Sequence, residues 1–185
     1  MTTREMIRCG GRSARIQSAV HAAVAALLRE GDRAGLTLPM VAARAGVTPS
    51  TLYRRWGDLP ALLADVALQR MRPQEPPLDT GALRGDLRAW AEQYREEMGS
   101  EPGQAMIRDV LLAPGGQQAQ PCAALVAAQL AVIDARARGR GEAGFDVAAA
   151  MDLLVAPIVY RLLFAEAPLP AGRLESLLDR LLGPG

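Results

Sequence analysis

At 185 residues, half of them hydrophobic, the chain can bury a sizeable core as one large domain or two small ones. No apolar stretch runs uninterrupted for the roughly 18 residues that a membrane span needs, so no membrane partner is expected. The charge is divided: residues 1–72 are net +6 (11 Arg against 5 Asp and Glu) and residues 73–185 are net −5, which points the first part towards a polyanion.

Residues 1–12 carry Arg4, Arg8 and Arg12 without the apolar run of a secretory leader, and are expected as a flexible arm of a cytoplasmic protein. From residue 13 to residue 30, Ile16, Val20, Val24 and Leu27 form one helical stripe, with Ser13 as N-cap and Gly31 as stop. Shorter helices are expected at about 39–45 and 49–56, and a longer one over about 59–71. Pro73-Gln74-Glu75-Pro76-Pro77 cannot continue a helix and marks a seam between two regions.

Beyond the seam, Thr80 is placed to cap a helix carrying Leu83, Leu87, Trp90, Tyr94 and Met98 on one face. A helix near 104–112 ends at Pro114-Gly115-Gly116, and a long one over about 121–138 runs into the glycine-broken stretch from Gly139 to Gly144. Asp146 caps the next, expected to about residue 166 with an interruption at Pro157. The last covers about 171–182, with Leu174, Leu177, Leu178 and Leu181 in a stripe. With no alternating strand and no internal repeat, the fold class expected is all-α. The helix after Asp146 is apolar around most of its circumference, so it needs cover on several sides. A second copy of the chain is the expected cover; the central helix of a monomer is the alternative.

The segment 37–56, TLPMVAARAGVTPSTLYRRW, has helix-turn-helix spacing. Ala42 is small where the second helix crosses the first, and Gly46 tolerates the positive φ of the turn. Leu52 and Trp56 anchor the second helix inwards. Thr48 stands at its cap and Pro49 at its first position, where a missing N–H costs nothing. Ser50, Thr51, Tyr53, Arg54 and Arg55 are then left for the outside, where hydroxyls and guanidinium groups reach phosphates and base edges. Ordinary solvated charge is the other reading of Arg54 and Arg55, and Tyr53 can pack on the preceding helix with only its hydroxyl free.

These residues carry a resemblance. Thr37-Leu38, Ala42-Ala43-Arg44-Ala45-Gly46-Val47, Thr51-Leu52-Tyr53 and the aromatic Trp56 resemble the DNA-binding domain of the TetR family of repressors, over about a quarter of the chain. The resemblance implies that Thr37 and Tyr53 hold phosphates and that Ser50 and Thr51 face the groove. The candidate DNA contacts are Thr37, Arg44, Thr48, Pro49, Ser50, Thr51, Tyr53, Arg54 and Arg55. Two positions depart from the family pattern: Trp56 stands for the usual Phe, and Leu59 for a usual Lys near the start of the fourth helix. Arg4, Arg8, Arg12 and Arg15 are candidates to replace that phosphate contact as an arm along the backbone, with a disordered, solvated tail as the alternative.

More loosely, Asp86-Leu87, Gly141-Glu142, Pro157 and Tyr160-Arg161-Leu162-Leu163 resemble the regulatory half of one branch of the family. This implies a homodimer through the last two helices, a four-helix bundle, and an effector pocket in each subunit. The expected division is then an arm (1–12), a helix-turn-helix domain (13–58), a connecting helix (59–72) and an effector-binding and dimerisation domain (73–185). Candidate pocket residues are Trp90, Tyr94, Met98, Met106, Leu111, Val126, Leu130, Met151 and Val155, with core packing as the alternative for each. Their lack of charge suggests a small, apolar effector.

Catalysis is not expected. His21 is the only histidine, Cys9 and Cys122 match no metal or redox spacing, and no nucleophile elbow or phosphate-binding loop is present. No cofactor or metal is expected either. The function expected is a ligand-responsive repressor that binds double-stranded, palindromic operator DNA as a homodimer. The alternative is a helical ligand- or protein-binding module that has lost specific DNA recognition.

Overall fold

The computed structural model describes residues 3–31, 33–116, 118–165 and 169–183. Among them every regular element is a helix, and the helices form two groups, each around its own apolar core.

Helix α1 (Thr3–Glu30) is longer than its apolar stripe. Ser13 lies inside it and is not its cap, and residues 3–12 continue the helix where the sequence suggested a flexible arm. No proline interrupts this stretch. Gly10 and Gly11, at about 1 kcal/mol each relative to alanine, do not suffice to stop it.

Helix α2 (Leu38–Ala45) starts at Thr37, whose hydroxyl accepts from the Met40 N–H at 3.4 Å. It stops at Gly46, where φ is 66° and a side chain is disfavoured. The amides of Gly46 and Val47 return to the carbonyls of Ala43 and Ala42 at 3.3 and 3.0 Å, which closes the helix end. Helix α3 (Pro49–Trp56) packs on α2, and α4 (Leu59–Arg70) begins where the Asp58 carboxylate accepts from the Ala61 N–H at 2.8 Å. Val20, Val24, Val41, Ala42, Leu52 and Leu62 are fully buried together and make α1–α4 one head.

The body holds α5 (Leu83–Gly99), α6 (Glu101–Leu112) and α7 (Ala119–Gly139). Thr80 does not cap α5; Ala82 occupies that place, and Thr80 binds the Asp86 carboxylate instead. Ser100 closes α5 and opens α6, its hydroxyl accepting from the Gly103 N–H at 3.1 Å. A Cβ on Gly103 would stand 2.0 Å from the Glu97 carbonyl oxygen, so this tight corner admits only glycine.

Helix α8 begins at Asp146, which accepts from the Ala148 N–H at 3.0 Å. It runs through Val147–Ala150, one wide π turn at Met151–Val155, and Ala156–Phe164. Pro157 therefore does not break the helix. The Ala156 N–H reaches back five residues to the Met151 carbonyl, and this widened turn accommodates the missing donor and the ring. Helix α9 (Ala171–Leu182) follows. Leu87, Leu130, Ile133, Leu154 and Leu178 bring α5, α7, α8 and α9 into the body core.

By length and mean composition Val147–Phe164 is apolar enough to cross a membrane. Asp152 and Arg161 interrupt it, and Ala150, Leu154, Val155 and Ile158 are buried in the body core. Head and body meet mainly where α4 packs on α6. Beside that seam, Arg33 of the α1–α2 turn forms an ion pair with the buried Asp109 of α6.

Candidate nucleic-acid interface and body cavity

Leu52 is wholly inside and Trp56 half-buried, so α3 turns Ser50, Tyr53 and Arg54 to the outside. Tyr53 is 52% exposed, and Arg54 has no hydrogen-bond or ion-pair partner among the described residues. Pro49 sits in the first turn, as the sequence suggested. Thr48 holds the cap position but makes no cap bond to the backbone. Its hydroxyl pairs with those of Ser50 and Thr51 at 3.0 and 2.9 Å, joining three hydroxyls at the start of α3. Thr37, at the start of α2, is also exposed.

Two of the candidate arginines are engaged within the head. Arg44 pairs with Glu30 at the end of α1, and that bond holds the Glu30 carboxyl below its usual range. Arg55 turns back onto α1, donating to the Ser13 carbonyl and hydroxyl at 3.0 and 2.8 Å and to Gln17 at 2.9 Å. It also lies 5.0 Å from the centre of the Trp56 ring. Spacing on α3 correctly puts Arg55 outside, but a long side chain reaches across to a neighbouring helix.

A polar hub beneath α3 escaped the sequence reading. One oxygen of Asp65, on α4, meets His21 Nε2 at 2.9 Å, Trp56 Nε1 at 2.8 Å and Gln17 Nε2 at 3.1 Å. Burial raises the Asp65 carboxyl, but the bonds from His21, Trp56 and Gln17 outweigh it and hold the group below the usual carboxylate range. The hub joins α1, α3 and α4, and gives the lone histidine a structural partner.

In the body, a cavity of about 700 Å³ lies between the end of α4, the segment 71–78, α5, α6 and α7. Of the candidate residues, Trp90, Tyr94, Met98, Met106 and Val126 line it. Leu130, Met151 and Val155 do not; they pack in or against the body core, where a facing helix closes the space. Leu111 points away from the neighbouring buried Val110 and is 58% exposed. The sequence reading missed Gln129, Leu125 and Cys122 of α7 and the whole proline-rich segment, which forms the roof.

The rings of Trp90 and Tyr94 stack at 5.2 Å with 13° between planes, and Trp90 Nε1 donates to Gln129 Oε1 at 2.9 Å. Burial pushes the Tyr94 phenol and the Cys122 thiol up, so both stay neutral near pH 7. The roof is held at its far end by α7: Arg136 donates to the carbonyls of Leu78 and Pro77 at 2.9 and 2.8 Å. Fully buried Asp86 accepts from the Thr80 N–H and hydroxyl at 2.6 and 2.7 Å, and from Arg140 at 3.0 Å. Burial raises the Asp86 carboxyl; these bonds more than reverse the effect. Among the described residues no cluster of His, Cys, Asp or Glu could hold a metal ion.

Comparison with known proteins agrees with this geometry. Residues 20–66 match the family described as bacterial regulatory proteins, tetR family, and residues 77–181 match the tetracyclin repressor-like C-terminal domain. The HTH-type transcriptional regulator AqdR of Rhodococcus erythropolis is 35% identical over 97 residues, 52% of this chain and 47% of that protein. An uncharacterized HTH-type transcriptional regulator of Mycobacterium tuberculosis (strain ATCC 25618 / H37Rv) is 35% identical over 86 residues, 46% of this chain and 42% of that protein. The matched stretch thus spans about half the length of the curated relatives or less. The crystal structure of the TetR family transcription regulator SCO0332 aligns with a TM-score of 0.67 and 28% identity, covering 90% of this chain and 96% of that one. A Mesorhizobium loti structure, at 18% identity and a TM-score of 0.56, covering 91% of this chain and 94% of that one, shares the fold.

Proposed function

Because the chain belongs to the TetR family of bacterial helix-turn-helix transcriptional regulators, we propose that it is a ligand-responsive repressor that binds a palindromic operator as a homodimer. The observation that carries this reading is the α3 surface: Ser50, Tyr53 and unpaired Arg54 face outwards from a helix pinned from behind by Leu52 and the Asp65 hub. In this reading α3 enters the major groove, Ser50, Thr51 and Arg54 meet base edges, and Tyr53 and Thr37 hold phosphates. Arg44 and Arg55 shape the head rather than read the duplex.

The partner copy docks on α8 and α9. The support is the outer side of α8, where Tyr160 and Phe164 are 64% and 73% exposed with ring centres 5.3 Å apart. The effector enters the body cavity. Met71 and the roof touch that cavity and are continuous with α4, so an occupant acts on the element that carries the head. An effector shifts the dimer only through differential affinity for its two states.

The test is fluorescence anisotropy of the full chain against DNA from just upstream of its own gene, with an unrelated duplex as control, at two salt concentrations. Selective binding by a dimer that weakens steeply with salt is expected. Weak binding that ignores sequence would favour a module that has kept the scaffold and lost its operator.

A further inference from the structure

Building on the reading of the body cavity as the effector site, we infer that its occupant is a flat, uncharged ring compound carrying a hydrogen-bond acceptor. Size sets only an upper bound, because about 700 Å³ has room for a drug-sized molecule.

Charge sets the second. The charged side chains that line the cavity are Arg70, Arg72, Glu75 and Glu97, all exposed at its mouth and of both signs. Deeper in, the walls are apolar or amide: Trp90, Tyr94, Met98, Val126 and Gln129. A charged group placed there would lose its water and find no counter-charge. Tyr94 adds none, since burial keeps its phenol protonated.

Hydrogen bonding sets the third. An indole N–H only donates, so the Gln129 atom 2.9 Å from Trp90 Nε1 is its carbonyl oxygen. The amide NH₂ is left as the donor that Gln129 offers an occupant. On α5 the exposed Gln93 donates its amide to Glu97 at 2.7 Å, near the mouth. The deeper polar group therefore seeks an acceptor, such as a ring carbonyl.

Shape sets the fourth. The near-parallel rings of Trp90 and Tyr94 make a flat, rigid element in the wall. Met71, Met98 and Met106 also line the cavity and bring polarizable thioethers that adapt to a ring edge. A flexible alkyl chain would make no use of the stacked pair.

Equilibrium dialysis of the full chain against three probes tests the inference: 2-acetylnaphthalene (flat, neutral, acceptor only), 2-naphthoate (flat, anionic) and 2-undecanone (neutral chain). The flat ketone should bind at least about tenfold more tightly than either of the others. 2-Ethylnaphthalene, which keeps the flat rings and lacks the acceptor, should bind about tenfold more weakly than the flat ketone. Met106→Trp, which takes up part of the cavity, should weaken binding of all probes. Preference for 2-undecanone or 2-naphthoate, or equal binding of 2-ethylnaphthalene, overturns the ligand class. Binding of none of the three also overturns it. If the flat ketone binds as described but leaves operator affinity unchanged, the ligand class stands and the effector reading falls.

Discussion

The indole N–H of Trp56, the last residue of α3, donates to the carboxylate of Asp65 on α4 at 2.8 Å. The helix that faces outwards is thereby tied to the helix that leads to the body. His21 and Gln17 hold the same oxygen from α1, so three helices share one acceptor.

Trp56→Phe keeps the inward ring and loses this bond. It should destabilise the chain by about 1–2 kcal/mol, a few degrees in thermal midpoint, without loss of helix. Urea denaturation followed by circular dichroism checks it. An unchanged midpoint would mean that the bond contributes nothing.

The Asp65 carboxyl lies below its ordinary value in the folded state, so its contribution is present above the unfolded value, about pH 4, and is lost as pH falls through the lower folded value. Stability of the wild-type chain should therefore drop more steeply below about pH 4 than that of Asp65→Asn. Denaturant titrations at pH 7 and pH 3 give the comparison. Equal acid losses would remove Asp65 from the account.

Arg54 and Arg55 are neighbours with different expected effects. Arg54→Ala should lower operator affinity by about 1–3 kcal/mol and narrow the gap between operator and unrelated duplex, with the salt slope and stability unchanged. Arg55→Ala breaks contacts to Ser13 and Gln17 and should register first as lost stability, up to about 1 kcal/mol at so exposed a site. Anisotropy and thermal melts on the same samples separate the two.

Asp86→Ala leaves Arg140 without its buried partner and frees Thr80 at the end of the cavity roof. A loss of roughly 3 kcal/mol is expected. Hydrogen exchange should rise first in residues 73–80. Uniform opening of the whole body would show that the cluster supports the core and not the roof.

Tyr160→Glu combined with Phe164→Glu should convert the dimer to a monomer in sedimentation while the helix content stays near wild type. Operator affinity should fall at least tenfold, because one head alone reads half the site. A persistent dimer would place the contact elsewhere.

The head was legible in the sequence because its signals are local. Gly46, Pro49 and Leu52 each state a requirement of the turn or of the helix beside it. The Asp65 hub was not legible, since its members are separated by as many as 48 positions and none has a telling neighbour. Periodicity in the body identified apolar faces but not what stands opposite them. Val126 and Leu130 share a face of α7, yet the first meets the cavity and the second the packed core. The proline run was readable as a seam; that it roofs a cavity depends on Arg136, nearly sixty residues later.

The wide turn at Met151–Val155 also sets the phase of everything after it. Ala148, Asp152, Ala156, Tyr160 and Phe164 are all exposed at intervals of four, a spacing that would wind around a regular helix by about 40° at each step. The one additional residue in the turn cancels part of that drift and keeps the row on a single side. Deleting one residue of that turn would return it to ordinary α geometry and leave Tyr160 and Phe164 on nearly the same side. The loss of one codon in the regular turns that follow, by contrast, would carry the residues beyond it about 100° around the helix and split the row in two.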